Sequence, residues 1–562
     1  FMSPLAALLV LSLSSSWAKF VIHIHDDGAP TSEINPTYAS WNIDSSYNRG
    51  FFHINFSNPN LHTAAATLQP SSLRFGGSGN DYLHYGTTDA PCPIPANDSD
   101  TFGCLNETHW NAFFDMAVAG GANDLIFGIS FNMKAACDAR AKYVWSSSNA
   151  VSFLKSWVLP QRRSIWAFEL GNEVNNRQDK CELNGTQQAA AFVDWHTALS
   201  ELYTHSSTLP TPFLIGPDTG YLKPQGWLQD FLRALPVPQT EDDGVTLGGR
   251  LPLHAVTHHV YPGVTPTDFN APSTLDRVLS DIDWYVPIVD QLGQGAQIWA
   301  GEDGPIGGGE DGTCRGGGTT SACGTYATTL WYADDMALRA RHGFRQYQRQ
   351  DLIGGRYGLL GIDHDDESLG TLVKLWGVKR LLLRRLLLLA LCVGLTDCGV
   401  EWLTVVLTGG TAPLVIQPDF WVAFMWKRVI GTQVLGVSSD NNETLRSYAF
   451  RGSAPSPWAF QPQQEEDQSV VTLLVINLDN TTAAVADVSR GVHGAASSAA
   501  VWSLTPGESG PLGSGTRMNG EDLPTKMVAA SFNNTIPVAP HYQAASEPFG
   551  FPPLSVTFVV LF

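Results

Sequence analysis

Basic residues are scarce in this sequence, and the scarcity limits which functions fit it. Lys and Arg together number 33, against 53 Asp and Glu, so the formal net charge is −20. Proteins that bind nucleic acid need a basic surface that neutralises phosphates. The composition therefore argues against a nucleic-acid partner, and it also fits poorly with a strongly polyanionic ligand.

Cysteine spacings typical of metal sites are also missing. The chain has 8 cysteines, and none of their spacings matches a zinc site. Cys92 and Cys104 lie in one loop, Cys314 and Cys323 lie in another, and Cys137 and Cys181 each follow a predicted strand. We expect disulfides formed in an oxidising compartment, and we expect neither a metal nor another cofactor.

The N-terminal region predicts a secretory signal peptide over residues 1–18. It contains the apolar run Leu5 to Leu13 and ends in Ser16-Trp17-Ala18, which is similar to a small-x-small cleavage site. The alternative is a first buried strand. Sequons for N-glycosylation favour secretion into an extracellular or lysosome-like compartment. They begin at Asn55, Asn97, Asn106, Asn184, Asn442, Asn480 and Asn533.

Short apolar segments alternate with helical stretches over the first part of the chain. One predicted helix places Phe192, Trp195, Leu199 and Leu202 on one face. The predicted strands cover residues 38–44, 71–77, 123–132, 165–173, 212–216, 255–261, 297–302 and 344–353. Strands that alternate with helices in this way are typical of a (β/α)₈ barrel, an α/β fold.

The pattern changes at about Val434. Segments such as 469–478, 499–504 and 555–562 are β-rich and separated by turn residues, without helical periodicity between them. We predict a TIM barrel over residues 19–433 and an appended C-terminal β-sandwich over 434–562. Residues 19–36 are a candidate for pairing with the sandwich.

Residues 361–407 differ from the rest of the chain. They are rich in leucine, and their apolar run from Leu386 to Leu395 is too short to span a bilayer. We interpret the segment as translated intron, because its removal leaves an ordinary loop between Leu360 and Thr408. The alternative is a genuine insertion between the eighth strand and the eighth helix.

Two of the predicted barrel strands run into a glutamate. One leads to Gly171-Asn172-Glu173, and the other ends at Gly301-Glu302, three βα units later. The carboxyl ends of barrel strands form the catalytic face. Retaining glycosidases need two carboxylates about 5–5.5 Å apart, one as acid/base and one as nucleophile. Glu173 and Glu302 are therefore the predicted catalytic pair; alone, either would be read as a solvated loop carboxylate.

The chain resembles the heparanase-like glycoside hydrolases of family 79. The motifs that carry the resemblance are LRFGGS at 73–78, ELGNE at 169–173, VTHHVY at 256–261, GE at 301–302, RQDLIGGRYGLL at 349–360, PDFW at 418–421, WSLTP at 502–506 and PLSVTF at 553–558. The resemblance implies a retaining β-glucuronidase with Glu173 as acid/base and Glu302 as nucleophile. Its partner would be a glycan that contains glucuronide; no obligate protein partner is inferred.

The resemblance also implies roles for residues around this pair. Asp44, Ser78, Asn172 and Tyr261 would line the subsite of the cleaved sugar, where Asn172 would contact the 2-OH and Tyr261 would orient the nucleophile. The glycine run at 307–309 and the hydroxyl of Tyr357 would hold the uronate carboxylate, with Gly308 and Gly309 as backbone donors.

Some features depart from the family or leave its implications open. Glu310 and Asp311 directly follow the glycine run, which is unfavourable beside an anion clamp. No linker of the kind that is excised from some members of the family is recognisable in this sequence. No basic cluster is available to bind a sulfated glycan either, and for this reason a less sulfated glucuronide is expected. His258 and His259 point to opposite faces of a strand, with a structural role as plausible as a catalytic one.

Two other functions compete with this interpretation. One is a retaining glycosidase that acts on a neutral sugar, and the other is a catalytically impaired glycan-binding protein of the same fold. Turnover of an aryl β-glucuronide compared with an aryl β-glucoside separates the first of these from a glucuronidase. The presence of both Glu173 and Glu302 argues against the second, although the segment 361–407 could disable the enzyme.

Overall fold

A computed structural model describes most of the chain. The described residues are 18–45, 51–92, 103–122, 124–206, 209–220, 226–236, 239–240, 246–247, 253–306, 322–354, 357–361, 414–441, 443–462, 470–491 and 496–562. The predicted signal peptide, apart from Ala18, and the unusual segment 361–407, apart from Gly361, lie outside them. Both stay predictions.

Eight parallel strands close into a barrel, which confirms the predicted fold class. In chain order they are β1 Ala39–Asp44, β2 Ser72–Gly76, β3 Asp124–Ile129, β4 Ala167–Leu170, β5 Phe213–Ile215, β6 Leu253–Val260, β7 Gln297–Asp303 and β8 Phe344–Arg349. Each pairs with the next, and β8 pairs with β1.

Helices follow the strands and cover the outside of the barrel. They are α1 Pro59–Thr67, α2 Glu107–Ala119, α3 Met133–Ala139, α4 Ser148–Phe153, α5 Gln178–Cys181, α6 Gly185–Ser206, α7 Trp227–Ala234, α8 Pro272–Leu275, α9 Arg277–Leu292, α10 Ala327–Arg341 and α11 Pro418–Val429. Local chemistry sets several starts. The Asn58 side chain accepts from Asn60 N before α1, and the Asn106 side chain accepts from His109 N before α2, as N-caps do.

The inside of the barrel is divided into an apolar and a charged layer. Nearer the N-terminal ends of the strands, buried apolar side chains form a separate cluster, which contains Ile126, Ala167, Ile215, Ala255 and Trp299. Two residues further along β4, on the same face, Glu169 replaces the apolar side chain. The charged layer therefore lies nearer the C-terminal ends of the strands than the apolar cluster does. It consists of Arg74, Glu169, Asp218, His259 and Glu302.

The predicted C-terminal sandwich follows the barrel, and its strands are connected as one large sheet that encloses a cluster of apolar side chains. Its longer strands are β9 Gln433–Ser439, β10 Leu445–Arg451, β11 Val471–Asn477, β12 Ala484–Arg490, β13 Ser498–Pro506 and β14 Ser555–Leu561. The N-terminal strand Ala18–His25 belongs to this sheet and not to the barrel, since it pairs antiparallel with β9 and parallel with β12.

Both faces of the central sandwich strand β11 are buried, for different reasons. Leu473 and Val475 point into a core that the sandwich forms by itself. Leu474 and Ile476, on the opposite face, belong to the hydrophobic cluster of the barrel and its helices. Every residue of α11 is buried. The two predicted domains therefore share one continuous core, and their limits at 433 and 434 stay a prediction.

Further buried polar contacts join the two parts. The Tyr448 hydroxyl on β10 donates to Asp334 on α10 at 2.7 Å. Arg428 on α11 donates to the Thr67 carbonyl at the end of α1 and to the Asn534 carbonyl. Because unpaired buried polar groups are costly, these contacts restrict how the sheet sits on the barrel.

The structure contains the disulfides Cys92–Cys104 and Cys137–Cys181. The second joins α3 to α5, which follow β3 and β4 at the same end of the barrel as Glu173. Cys314 lies outside the described residues. Within the described part of the chain, no helix is both long and apolar enough to cross a membrane.

The two disulfides should differ in what they contribute to stability. They close loops of 44 and 12 residues. If a cross-link acts by restricting the unfolded chain, replacing Cys137 and Cys181 by alanine should lower the free energy of unfolding by roughly 4 kcal/mol, and replacing Cys92 and Cys104 by about 3 kcal/mol. Urea unfolding of the two double variants measures the difference; a larger loss from the shorter loop would contradict this explanation.

Candidate functional site

The loop after β4 presents Glu173 at the C-terminal end of the barrel. Gly171 and Glu173 both have positive φ angles, 83° and 50°. A side chain at position 171 would meet Val174 Cγ2 at 2.6 Å, so this turn needs glycine. The Asn172 amide N–H donates to the Asp81 carboxylate at 3.1 Å, and Glu173 N–H donates to the Asp218 carbonyl at 2.8 Å. These bonds fix the backbone that carries Glu173.

Glu302 lies on β7, at a point where the pairing of β7 with β6 is irregular. The register shifts between His258 and His259, so that His258 is opposite Ala300 and His259 opposite Glu302. Gly301 is the extra residue of this bulge. A Cβ at Gly301 would lie 3.2 Å from Asp218 Oδ1 and 3.4 Å from His259 Cδ2. The missing side chain thus leaves room for the Asp218–His259 contact.

The two predicted catalytic carboxylates meet at the mouth of the barrel. One oxygen of Glu173 and one of Glu302 lie within 4.8 Å of each other. The Glu173 side chain is 18% exposed, whereas that of Glu302 is 5% exposed. Glu173 accepts hydrogen bonds from Asn176 Nδ2 at 2.7 Å and lies 2.9 Å from His259 Nδ1. The more exposed carboxylate is therefore the one after β4.

Arg74 on β2 lies at the centre of the charged layer. Its guanidinium donates to Glu169 Oε2 at 2.5 Å, to Asp218 Oδ2 at 2.5 Å and to Glu302 Oε2 at 3.0 Å. It also donates to Asn172 Oδ1 at 3.1 Å. All of its ion-pair partners are almost fully buried, so this single cation offsets several carboxylates away from water.

Arg74 and His259 share the positive charge of the site. Burial acts to lower the pKa of Arg74, but Asp218, Glu169 and Glu302 raise it well above its ordinary value. Burial likewise acts to lower the pKa of His259, yet Asp218 and Glu302 raise it well above its usual range. Both ring nitrogens of His259 face carboxylate oxygens, Asp218 Oδ1 at 2.5 Å and Glu173 Oε1 at 2.9 Å, and this arrangement favours the imidazolium form.

The pKa values of the buried acids shift in different directions. Burial raises the pKa of Asp218, but Arg74 and His259 outweigh it, so the net pKa is lowered. For Glu302, burial raises the pKa, His259 and Arg74 oppose it, and the net pKa is above the ordinary value. Burial raises the pKa of Glu169 to about 7 against the opposing charge of Arg74. Asp218 is thus the most firmly ionised acid of this group.

The other predicted site residues lie in different settings. Asp44 is buried at the end of β1 and accepts from Gln350 Nε2 at 2.6 Å. The Tyr261 hydroxyl donates to Glu302 Oε1. Ser78 is exposed after β2. Tyr357 is buried after β8, and its carbonyl accepts from Arg349 Nη2 at 2.8 Å. Gly308 and Gly309 lie outside the described residues.

The amide of Asn172 is oriented by its neighbours. Its Oδ1 accepts from Gly77 N and from Arg74 Nη2, both at 3.1 Å. This leaves Nδ2 as the part of the amide that can donate. Gly77 itself has a φ of 101°, and a Cβ there would lie 2.5 Å from Asp44 Oδ1. Because Gly77 has no side chain, both Asp44 and Asn172 can lie against the turn after β2.

Four residues of the charged layer were not predicted as site residues: Arg74, Glu169, Asp218 and, with an undecided role, His259. The available signal was a charged residue inside an apolar strand, as in Leu73-Arg74-Phe75 and Phe168-Glu169-Leu170. Such a residue in a barrel strand has to point inward and find partners, because a buried charge needs compensation.

Glu173, His259 and Glu302 each bring an atom within 4.8 Å of the other two, close enough to share a metal ion. The contacts already present argue against it. Nε2 of His259 lies 2.5 Å from Asp218 and its Nδ1 2.9 Å from Glu173, so both ring nitrogens have carboxylate partners. A cation here would also face the guanidinium of Arg74. We assign no metal ligand in this site.

Known proteins with similar folds include several glycosidases. A β-glucuronidase from Fusarium oxysporum 12S, described as a 4-O-α-L-rhamnosyl-β-D-glucuronidase, aligns with a TM-score of 0.59 at 13% identity over 97% of this chain and 100% of its own. A family 51 arabinofuranosidase from Xanthomonas axonopodis pv. citri aligns with a TM-score of 0.56 at 14% identity, over 97% and 100%. At these identities the likeness concerns the fold.

Sequence comparisons are more specific. Chicken (Gallus gallus) heparanase is 25% identical over 81% of this chain and 79% of its own length. Heparanase-like protein 1 of Arabidopsis thaliana is 24% identical over 83% and 72%. Baicalin-β-D-glucuronidase of Scutellaria baicalensis is 20% identical over 84% and 78%. The model of the N-terminal domain of glycosyl hydrolase family 79 matches residues 20–337, more than half of the chain. With the barrel and its carboxylates, these matches identify the chain as a glycoside hydrolase of family 79.

Proposed function

We propose that this enzyme cleaves β-glucuronides with retention of configuration, by a double displacement that uses Glu302 as nucleophile and Glu173 as acid/base. The observation that carries the proposal is the spacing of the two carboxylates, with oxygens within 4.8 Å of each other. Inverting enzymes keep their carboxyl groups roughly 6.5–9.5 Å apart to admit a water molecule, whereas retaining ones keep them about 5–5.5 Å apart. The contacts of the two glutamates also suit different roles.

Glu302 is suited to attack. Tyr261 and Arg74 each donate to one of its oxygens, and Arg74 remains charged at any working pH. These donors hold the carboxylate in one orientation and favour its ionised form. Attack at the anomeric carbon forms the bond to Glu302 and breaks the bond to the aglycone. Water then displaces the Glu302 carboxylate from the anomeric carbon: the bond to Glu302 breaks, a bond to the water oxygen forms, and the sugar is released.

Glu173 is suited to proton transfer, because it is the more exposed of the two and lies at the mouth of the barrel. It gives its proton to the aglycone oxygen in the first step and takes a proton from water in the second. We propose that Asn172, through Nδ2, donates to the sugar 2-OH, and that Asp44 and Ser78 bind other hydroxyls. Gly308, Gly309 and Tyr357 remain our proposal for the uronate carboxylate.

We propose a glucuronide with few sulfate groups, in an oxidising extracellular or lysosome-like compartment. The glucuronide follows from the relatives, two of which are named heparanase and baicalin-β-D-glucuronidase. The low sulfation follows from charge, since the net charge is −20. Two disulfides support the oxidising compartment.

An aryl β-glucuronide should be turned over, and the matching aryl β-glucoside should not. A site that binds the carboxylate through buried donors leaves those donors unpaired with a neutral sugar, which disfavours that substrate strongly. Release of the aryl group measures both rates. Faster turnover of the glucoside would indicate the neutral-sugar glycosidase, and binding of a glucuronide without any turnover would indicate the impaired glycan-binding protein.

The variants Glu302→Ala and Glu173→Ala should fail in different ways. Glu302→Ala should lose turnover of every substrate, because no covalent intermediate can form. Glu173→Ala should lose roughly 10²–10⁴-fold on poor leaving groups and much less on activated ones. Added azide should then rescue Glu173→Ala and give the β-glycosyl azide. An α-azide from Glu173→Ala would reverse the assignment of the two residues.

The acid limb of the pH profile should reflect the ionisation of Glu302. Its net pKa is raised, chiefly by burial. The nucleophile has to be ionised, so kcat/KM should fall as the pH drops through a value above the ordinary glutamate pKa of about 4.3. A profile of kcat/KM against pH for the wild type, with stability checked at each pH, measures this limb. A midpoint at or below the ordinary value would contradict it.

A further inference from the structure

The acid/base glutamate touches a histidine that the two-glutamate mechanism does not use. His259 is fully buried on β6, with its two ring nitrogens directed at different carboxylates. Nε2 lies 2.5 Å from Asp218 Oδ1, and Nδ1 lies 2.9 Å from Glu173 Oε1. We propose that Asp218 and His259 act as a pair of positioning residues, which hold Glu173 in place and stabilise its negative charge once it has protonated the aglycone.

The contacts of Asp218 fix the orientation of the ring. Asp218 Oδ2 accepts from Arg74 and its Oδ1 faces His259, so both oxygens act as acceptors. His259 Nε2 must therefore carry a hydrogen, and the ring cannot rotate without losing this bond. That leaves Nδ1 directed at Glu173. Asp218 thus determines which nitrogen meets the acid/base, although it does not reach Glu173 with its own side chain.

The proton count of the first step gives the pair its role. Glu302 bonds to the anomeric carbon, the bond to the aglycone oxygen breaks, and that oxygen takes the proton of Glu173. Glu173 is then a carboxylate in a largely buried site. The Nδ1–H of an imidazolium at 2.9 Å stabilises that charge more strongly than a neutral donor does. Asn176 Nδ2 holds the other oxygen at 2.7 Å, so the carboxyl group stays in one orientation.

Glu302 also lies near the histidine, but its contact is weaker. His259 Nδ1 is 3.9 Å from Glu302 Oε2, beyond hydrogen-bond distance, whereas it is 2.9 Å from Glu173. Glu302 is held instead by Arg74 and Tyr261. The geometry therefore assigns His259 to the acid/base and not to the nucleophile. This inference rests on the proposed function, since it presupposes that Glu173 transfers the proton.

The test compares leaving groups in the variant His259→Gln. Loss of the imidazolium removes the donor that stabilises the carboxylate formed on Glu173, so kcat/KM for phenyl β-glucuronide should fall by roughly 10–100-fold. For 2,4-dinitrophenyl β-glucuronide, whose leaving group needs little protonation, the loss should stay below about threefold. Asp218→Asn should show the same selective loss, and it serves as the second variant if His259→Gln does not fold.

His258→Gln provides the matched control. His258 is the neighbouring buried histidine on β6, but it faces outward, stacks on Tyr285 and contacts Thr219. Burial lowers the pKa of His258 to about 3, so it is neutral where His259 is charged. A merely structural effect would lower kcat/KM for both substrates by the same factor. We expect this result of His258→Gln if the substitution disturbs the strand. Equal loss on both leaving groups in His259→Gln, or no loss, would overturn the inference.

The outcome separates this inference from the proposed function. Wild-type enzyme that releases no aryl group from any β-glucuronide or β-glucoside would contradict the proposed function itself. Wild type that is active, with His259→Gln and Asp218→Asn showing an unchanged ratio of the two substrates, would contradict only the role of the pair.

Discussion

The charged layer of the barrel depends on the guanidinium of Arg74. Removing a charge from water costs several kcal/mol, and the cost is recovered only when partners are close and well aligned. Arg74 contacts Glu169, Asp218 and Glu302 at 2.5–3.0 Å. Without this cation, three buried carboxylates would lose their guanidinium partner, and His259 is within hydrogen-bond distance of only Asp218 among them. Arg74 thus helps to hold Glu302 and, through Asp218, His259 in place.

The layered interior explains where the chemistry takes place. At the N-terminal ends of the strands an apolar cluster around Trp299 closes the barrel, so no charge can be placed there at low cost. At the C-terminal ends solvent reaches the interior, since the Glu173 side chain there is 18% exposed. The charged layer lies between the two, with Glu302 nearly closed off and Glu173 partly exposed. This gradient of exposure distinguishes two chemically identical side chains.

The sandwich contributes to the barrel rather than standing apart from it. Strand β11 is apolar on both faces because it closes the core of the sandwich with Leu473 and Val475 and covers barrel helices with Leu474 and Ile476. The helix α11 is buried along its whole length between the two parts. The N-terminal strand Ala18–His25 joins the sandwich sheet, so the chain passes from sandwich to barrel and back again.

The barrel, the β-rich end and the position of two glutamates after barrel strands could be predicted from the amino-acid sequence, because periodicity and strand-end motifs are local properties. The eight strands were predictable from apolar runs, and Glu173 and Glu302 from the strands that precede them. Which charged side chains contact each other could not be predicted, because it depends on how the strands assemble. These charges lie on separate elements: Arg74 is on β2, Asp218 is in the loop after β5, and His259 is on β6. The sequence around each of them does not indicate which residue it contacts. Closure of the barrel brings them within hydrogen-bond distance, and the balance of burial against neighbouring charge then sets the ionisation of each.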